Sequence, residues 1–462
     1  MSLVRPVLTR EAALAVCHKV IDWSTADGVT AELEHRAFGV TRVNRAHGHS
    51  ATDRSTLNLT ISVRFGAKAT TRVSINQVDD ATLKTAVAYA ERTAKQTLGA
   101  PQLLSQPTIN ERPRPVAPTA LWHEGSVDAL LESRSAVLPA ILDRVRAARL
   151  GSSIFVGASA RAQCYVEKGG ASVFGEETDT ELTVTCWTPD FRGSGWGGQA
   201  ARDWRALDAA RVTEHAVDLT RRSMQTYALE PGRRTAILGP AAVAQLVRPM
   251  AYAFDAMSTI EHQRTPFSLP PHGSKLGLRV FDPRITMQSD PADVEGGYLP
   301  FFGDGYPLVP MTWVRGGVLE NLAYAPGYGA SRGKMPYAQV PYSVRLGGGT
   351  STLEEMIANC KEGVYVNRFS GVTIKDDRTG VMSGTTRDGC FLVRNGVIDR
   401  AIRNFRFLES PWFVFNRIEM IGEPRRAALG YTPDGEAWPL PPIIVPPIMV
   451  RDFNFSALAD AV

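Results

Sequence analysis

The stretch PYSVRLGGGTSTLEEMIANCKEGVYVNRF, residues 341–369, and the CFLVRNGVIDRAI that follows at 390–402 organise the reading of the whole chain. A loop opens it, where Gly347, Gly348 and Gly349 allow backbone angles that a Cβ forbids. A helix is expected next: Ser351 suits the N-cap, Glu354 three residues on closes a capping box, and Leu353, Met356, Ile357 and Cys360 share one face. Gly363 should end it. Strand signals take over at VYVNRF (364–369), and Asn395-Gly396 between CFLV and VIDRAI predicts a tight hairpin. Loop, capped helix and antiparallel strands in this order point to an α+β protein.

Working outward, 462 residues with 44% hydrophobic and 21% charged side chains describe a globular chain of two to four domains. A formal charge of +4 over 51 basic and 47 acidic residues, without a basic run, argues against nucleic-acid binding. The five cysteines, at 17, 164, 186, 360 and 390, form no CxxC pair, which argues against a disulfide framework and a thiolate zinc site. The opening MSLVRPVLTREAALAV lacks the apolar core of a secretory signal, and no apolar run reaches 18 residues. A cytoplasmic location without membrane contact is the expectation.

Helix, strand and turn signals divide the chain into an N-terminal α+β domain (1–98), a proline-rich linker (99–118), a central α+β domain (119–230) and a β-rich C-terminal domain (231–462). In the first unit a helix over 10–24 precedes three or four antiparallel strands, and a second helix from Asp79-Asp80 buries Leu83, Ala86, Val87, Ala90 and Ala94. The second repeats the plan, with a helix over Val127–Leu150, strands to about 187 and a helix over 204–227. Its FRGSGWGG (191–198) lacks the Lys-Ser/Thr and the strand-to-helix setting of a phosphate cradle and reads as a flexible loop. The third opens with a strand at 233–239 and a helix over Ala241–Met257 that Pro249 should kink; later come a helix from Ser410-Pro411 through Met420 and a strand at 443–450.

Four segments in fixed order carry a family likeness: ILGPAAVAQLVRPMAYAF; KLGLRVFDPRI with YLPFFGDGYPLVPMTWVRGGVLENL; VRLGGGTSTLEEMIANCKEGVYV; and GCFLVRNGVIDRAIRNFRF with the closing PPIIVPPIMV. Together they resemble the TldD/TldE (PmbA) metallopeptidase-related family, and residues 30–98 fit it too. In that family the TldD-type subunit bears HExxxH on the helix after the first strand of its third domain. Its histidines bind zinc, and its glutamate is general base for the attacking water. The resemblance lays this motif on VRPMAY, so that Val247 and Tyr252 stand at the histidine positions and Arg248 at the glutamate position. Valine offers no lone pair, and arginine accepts no proton at neutral pH and repels a cation. The TldD type also supplies a late cysteine ligand, and after Cys390 this chain has none.

The resemblance therefore implies the TldE type: a non-catalytic subunit without catalytic or metal-binding residues, paired as a dimer with a TldD-like metallopeptidase that carries the zinc, the complex acting on unfolded peptides. One alternative is a stand-alone homodimeric peptide-binding protein. Another is a peptidase with an unfamiliar metal site near Glu261, His262 and His272. Arg345, beside Gly347, Gly348 and Gly349, is the candidate for holding a peptide carboxylate or a subunit interface, with a structural ion pair equally open. His47 and His49 read as surface histidines, Asp282 and Asp304 as turn carboxylates, and Cys390 as a small buried side chain.

Overall fold

Helix–strand–helix order recurs twice in the first 230 residues, and the two sets of strands join into one sheet. The computed structural model describes residues 6–44, 48–66, 70–96, 120–130, 134–302, 305–334, 341–430 and 440–459; the linker 99–118, His47 and Asp304 lie outside them. Helix α1 (Arg10–Trp23) starts where the Thr9 side chain accepts from the Ala12 N–H. It leads into β1 (Gly28–Val43), β2 (His49–Arg64), β3 (Thr71–Ile75) and α2 (Asp80–Gln96). After α3 (Glu124–Asp128) and α4 (Leu138–Ala147) come β4 (Gly151–Glu167), β5 (Ser172–Trp187), β6 (Ser194–Ala201) and α5 (Ala209–Arg222). The sheet runs β3-β2-β1-β4-β5-β6, antiparallel throughout, its halves joined where β1 pairs with β4, Leu33 opposite Cys164.

Side chains alternate across a strand, so each residue commits to one face. Leu33, Leu59, Ile61 and Cys164 pack under α1 and α2; Val43, Ile154, Val156, Leu182 and Val184 pack under α4 and α5. The opposite face looks toward the C-terminal domain, where Leu299 and Phe301 press against Gly175.

Three expectations in this region are corrected. The helix over Val127–Leu150 is broken, because α4 restarts after a 3₁₀ turn (Arg134–Val137) with Pro139 in its first turn, a position where the missing N–H costs nothing. The helix over 204–227 is shorter, since the Asp208 carboxylate caps Arg211 N–H and sets the start of α5. FRGSGWGG is no flexible loop: most of it is edge strand β6. A Cβ on Gly195 would sit 2.5 Å from the Ala216 carbonyl, and on Gly197 2.2 Å from the Val212 carbonyl, so the glycines let α5 lie directly on the strand.

After β7 (Thr226–Tyr227), strand β8 (Gly232–Leu238) starts a sheet that closes on itself. β8 pairs with 448–458, that strand with 405–409, then 381–394, then 362–376, which returns to β8. Closure leaves no free edge within the ring. Phe369 and Phe453 stack with centroids 5.8 Å apart, and Phe407 packs tilted against both, at 4.5 Å from Phe369 and 5.6 Å from Phe453. The predicted hairpin extends this barrel: Asn395 (φ 50°) and Gly396 (φ 80°) turn between Arg394 and Val397. Beside it a second sheet runs 318–319, 311–315, 287–289, 344–346, 443–445, 425–426.

The helix expected over Ala241–Met257 splits into α6 (Pro240–Val247), a 3₁₀ helix (Arg248–Phe254) and α7 (Ala256–Ile260), because Pro249 removes a donor and tightens the chain. The capping box is real but one residue later, Thr352 with Glu355. The helix expected from Ser410 to Met420 is one turn, Pro411–Val414, followed by a strand at 418–421 that pairs with 448–450. Pairing beats propensity there.

Candidate functional site

Along β1, Glu34, Arg36 and Phe38 share the face that looks to the C-terminal domain. Register builds rows across four strands. Thr56, Arg36, Arg161 and Glu177 stand opposite one another in turn, and Arg54, Phe38, Ser159 and Asp179 form the next row. Arg202, just past β6, completes a charged floor. Such a face tolerates exclusion from water only if the charges pair. They do: Arg161 lies 2.6 Å from Glu34 and 3.3 Å from Glu177, and Arg202 lies 3.2 Å from both Glu177 and Asp179. Arg426, from the C-terminal domain, meets Asp179 at 2.5 Å. Arg202 also donates to the Gly297 carbonyl, so the network ties the two halves of the molecule together.

Burial penalises the charge of Arg161, yet Glu177 and Glu34 more than offset it and raise its pKa. Burial likewise opposes ionised Glu177, but Arg202 and Arg161 prevail and hold its carboxyl below the usual range. Tyr342 is pushed up by burial and then by Glu177.

Over this floor lies a cavity of about 220 Å³, lined by Arg36, Arg54, Arg161, Arg202, Glu177 and Asp179 on the sheet and roofed by Tyr342 and Leu440–Pro442. Arg248 stands behind the roof. Its Nη2 donates to the Pro441 carbonyl at 3.0 Å, while its Nε is buried without a partner. Burial pushes its pKa down to about 10, against the pull of Glu181, so it remains a cation at neutral pH.

The positions aligned with HExxxH thus end up in three unlike settings. Val247 is 1% exposed in the main core. Arg248 faces the roof segment, and the Tyr252 hydroxyl donates to the Asp377 carbonyl at 2.6 Å. These residues do not fit a zinc ion: one has no donor atom, one is cationic, and the hydroxyl of the third is engaged. Among the described residues no three His, Cys, Asp or Glu side chains converge as a metal centre needs. His262 and His272 are both exposed, and the Glu261 carboxylate binds the Tyr328 hydroxyl at 2.7 Å and Arg332.

Arg345 sits on the strand at 344–346 and forks onto Asp293, with Nη2 at 2.9 Å from Oδ1, and reaches Glu295 at 3.0 Å. Gly347, Gly348 and Gly349 do not adopt the positive φ expected of them. Crowding explains two of them instead: a Cβ on Gly348 would lie 2.3 Å from the Gly422 carbonyl, and on Gly349 2.5 Å from that of Ile421, whereas on Gly347 it would make only ordinary contact with Thr286 at 3.4 Å. Cys390 is buried, its thiol pushed up to about 12 by desolvation, and Asp282 closes an Asx turn onto the Arg284 N–H at 2.9 Å.

The charged cavity escaped the reading of the sequence. Its one signal was a period-two run of charges inside otherwise apolar strands (Glu34, Arg36; Arg161; Glu177, Asp179), and that run acquires meaning only once β1 pairs with β4.

Residues 231–457 match the family model of the PmbA/TldA metallopeptidase C-terminal domain. No curated protein matches the sequence. Solved structures share the fold at low identity. A candidate modulator of a DNA gyrase from Thermotoga maritima is 14% identical with TM-score 0.79, covering 92% of this chain and 95% of its own. TldE from Thermococcus kodakarensis is 16% identical with TM-score 0.76, covering 95% and 98%.

Proposed function

This chain belongs to the TldD/TldE (PmbA) family through its C-terminal domain, residues 231–457, and on that premise we propose that it is a TldE-like, non-catalytic subunit. It assembles with a TldD-like metallopeptidase, which carries the zinc, and the pair processes unfolded peptides in the cytoplasm. The observation that supports this reading is the fate of the HExxxH positions. Val247 is part of the core, Arg248 is a half-buried cation on the Pro441 carbonyl, and the Tyr252 hydroxyl is held by Asp377, a set that neither binds zinc nor activates water. Five buried free cysteines among the described residues suit a reducing compartment, and no described helix is long and apolar enough to cross a membrane.

Co-expression tests the assignment. A tagged copy of this chain should co-purify with a partner bearing HExxxH in equal amount, with zinc at one ion per pair and peptide hydrolysis dependent on the partner. A homogeneous homodimer that ignores such a partner would favour the stand-alone peptide-binding alternative, and one tightly held zinc per isolated chain would overturn the assignment.

A further inference from the structure

We propose that the cavity between the N-terminal sheet and Tyr342/Leu440–Pro442 is a carboxylate-binding site, seating the free C-terminal end of a peptide with Arg36 and Arg54 as its charge partners. Four arginines and two carboxylates line it, an excess of two positive charges. The nearest outside partners leave this balance unchanged, because Glu34 adds one negative charge beside Arg36 and Arg161 while Arg426 adds one positive charge on Asp179.

Within that set the cations are not equivalent. Arg161 and Arg202 are consumed by Glu34, Glu177 and Asp179. Arg36 forms one ion pair among the described residues, with Glu34 at 2.8 Å through one nitrogen, and feels Glu177 at longer range, while Arg54, exposed at the rim, holds no ion pair among the described residues. These two lie on neighbouring rows of the same sheet face, Arg36 opposite Thr56 and Arg54 opposite Phe38. Half-buried Arg248 behind the roof adds a further positive charge from the opposite side.

A planar carboxylate matches the guanidinium fork, which donates two parallel hydrogen bonds. Beside the arginines the lining is apolar, with Phe38, Leu440, Pro441 and Pro442, so the group attached to the carboxylate should be apolar as well. About 220 Å³ falls below the roughly 300–1,000 Å³ of sites for drug-sized ligands, a size suited to a terminal residue rather than an extended segment. The peptide as the source of the carboxylate rests on the function proposed above; the carboxylate chemistry rests on the cavity alone.

Binding to the purified full chain, without any partner, tests this separately from subunit assembly. The probes are a fluorescent pentapeptide ending in leucine, the same peptide as its C-terminal amide, N-acetyl-leucine and inorganic phosphate. The free acid should bind about 10- to 100-fold tighter than the amide at low salt. R54Q and R36Q should each erase most of that difference while leaving amide binding and the thermal midpoint unchanged. N-acetyl-leucine weaker than the peptide supports a peptide end as the source, and equal affinity supports the same site with a small free acid as its ligand. Equal binding of acid and amide, full retention of the difference in both variants, or phosphate binding tighter than the free acid would overturn the proposal.

Discussion

Arg248 is a half-buried guanidinium with one acceptor and a buried Nε without a partner among the described residues, at the position that the family resemblance lays on the motif's glutamate. Its neighbour Val247 makes the consequence testable. Converting Val247 to His places an imidazole where the side chain is 1% exposed and no polar partner waits. The triple variant V247H/R248E/Y252H should therefore lose about 1–3 kcal/mol or more in urea unfolding and still bind no stoichiometric zinc by elemental analysis. Backbone geometry adds to the obstacle. Arg248 through Phe254 is a 3₁₀ helix, so the spacing of the motif no longer presents the faces that an α-helix would.

Elements here are placed by close backbone contact as much as by apolar stripes. Helix α5 rests on β6 only because Gly193, Gly195 and Gly197 carry no side chain; a Cβ at Gly193 would sit 2.2 Å from the Ser223 carbonyl. Gly197→Ala should push α5 off the strand and cost about 1–3 kcal/mol, read as a lower denaturation midpoint with an unchanged m-value. Alanine at Gly169, whose Cβ meets nothing within 4 Å, should cost only the strain of its positive φ, about 1 kcal/mol. Glycine-rich runs look alike in sequence whether they serve turns, ligands or helix–strand contact. That is why FRGSGWGG read as a flexible loop and Gly347 to Gly349 as a loop needing backbone angles that a Cβ forbids.

At the scale of the molecule, the charged floor joins the N-terminal sheet to the C-terminal domain through Asp179–Arg426 and Glu181, which accepts from the Gly430 N–H at 2.6 Å. Glu177, its side chain 13% exposed, holds Arg161 and Arg202 together. Its folded pKa lies below the usual 4.5, so its stabilising contribution is complete above that value and is lost as pH falls through the depressed one. E177Q should destabilise the chain at pH 7 by about 3–5 kcal/mol, since it leaves two buried arginines under-paired. The gap to the unaltered protein should narrow steadily below about pH 4 in urea titrations. By itself the sequence determined the class of fold, the NG hairpin and the N-cap of the helix after the glycine loop to within one residue, though not its end at Asn359, because periodicity and turn chemistry are local. Only the tertiary structure decided that β1 pairs with β4, that the barrel closes and that Arg36, Arg54, Arg161, Glu177 and Asp179 share one cavity. Those outcomes depend on pairings such as Arg36 with Arg161 and Thr235 with Gly363, between residues more than a hundred positions apart, which no local pattern fixes.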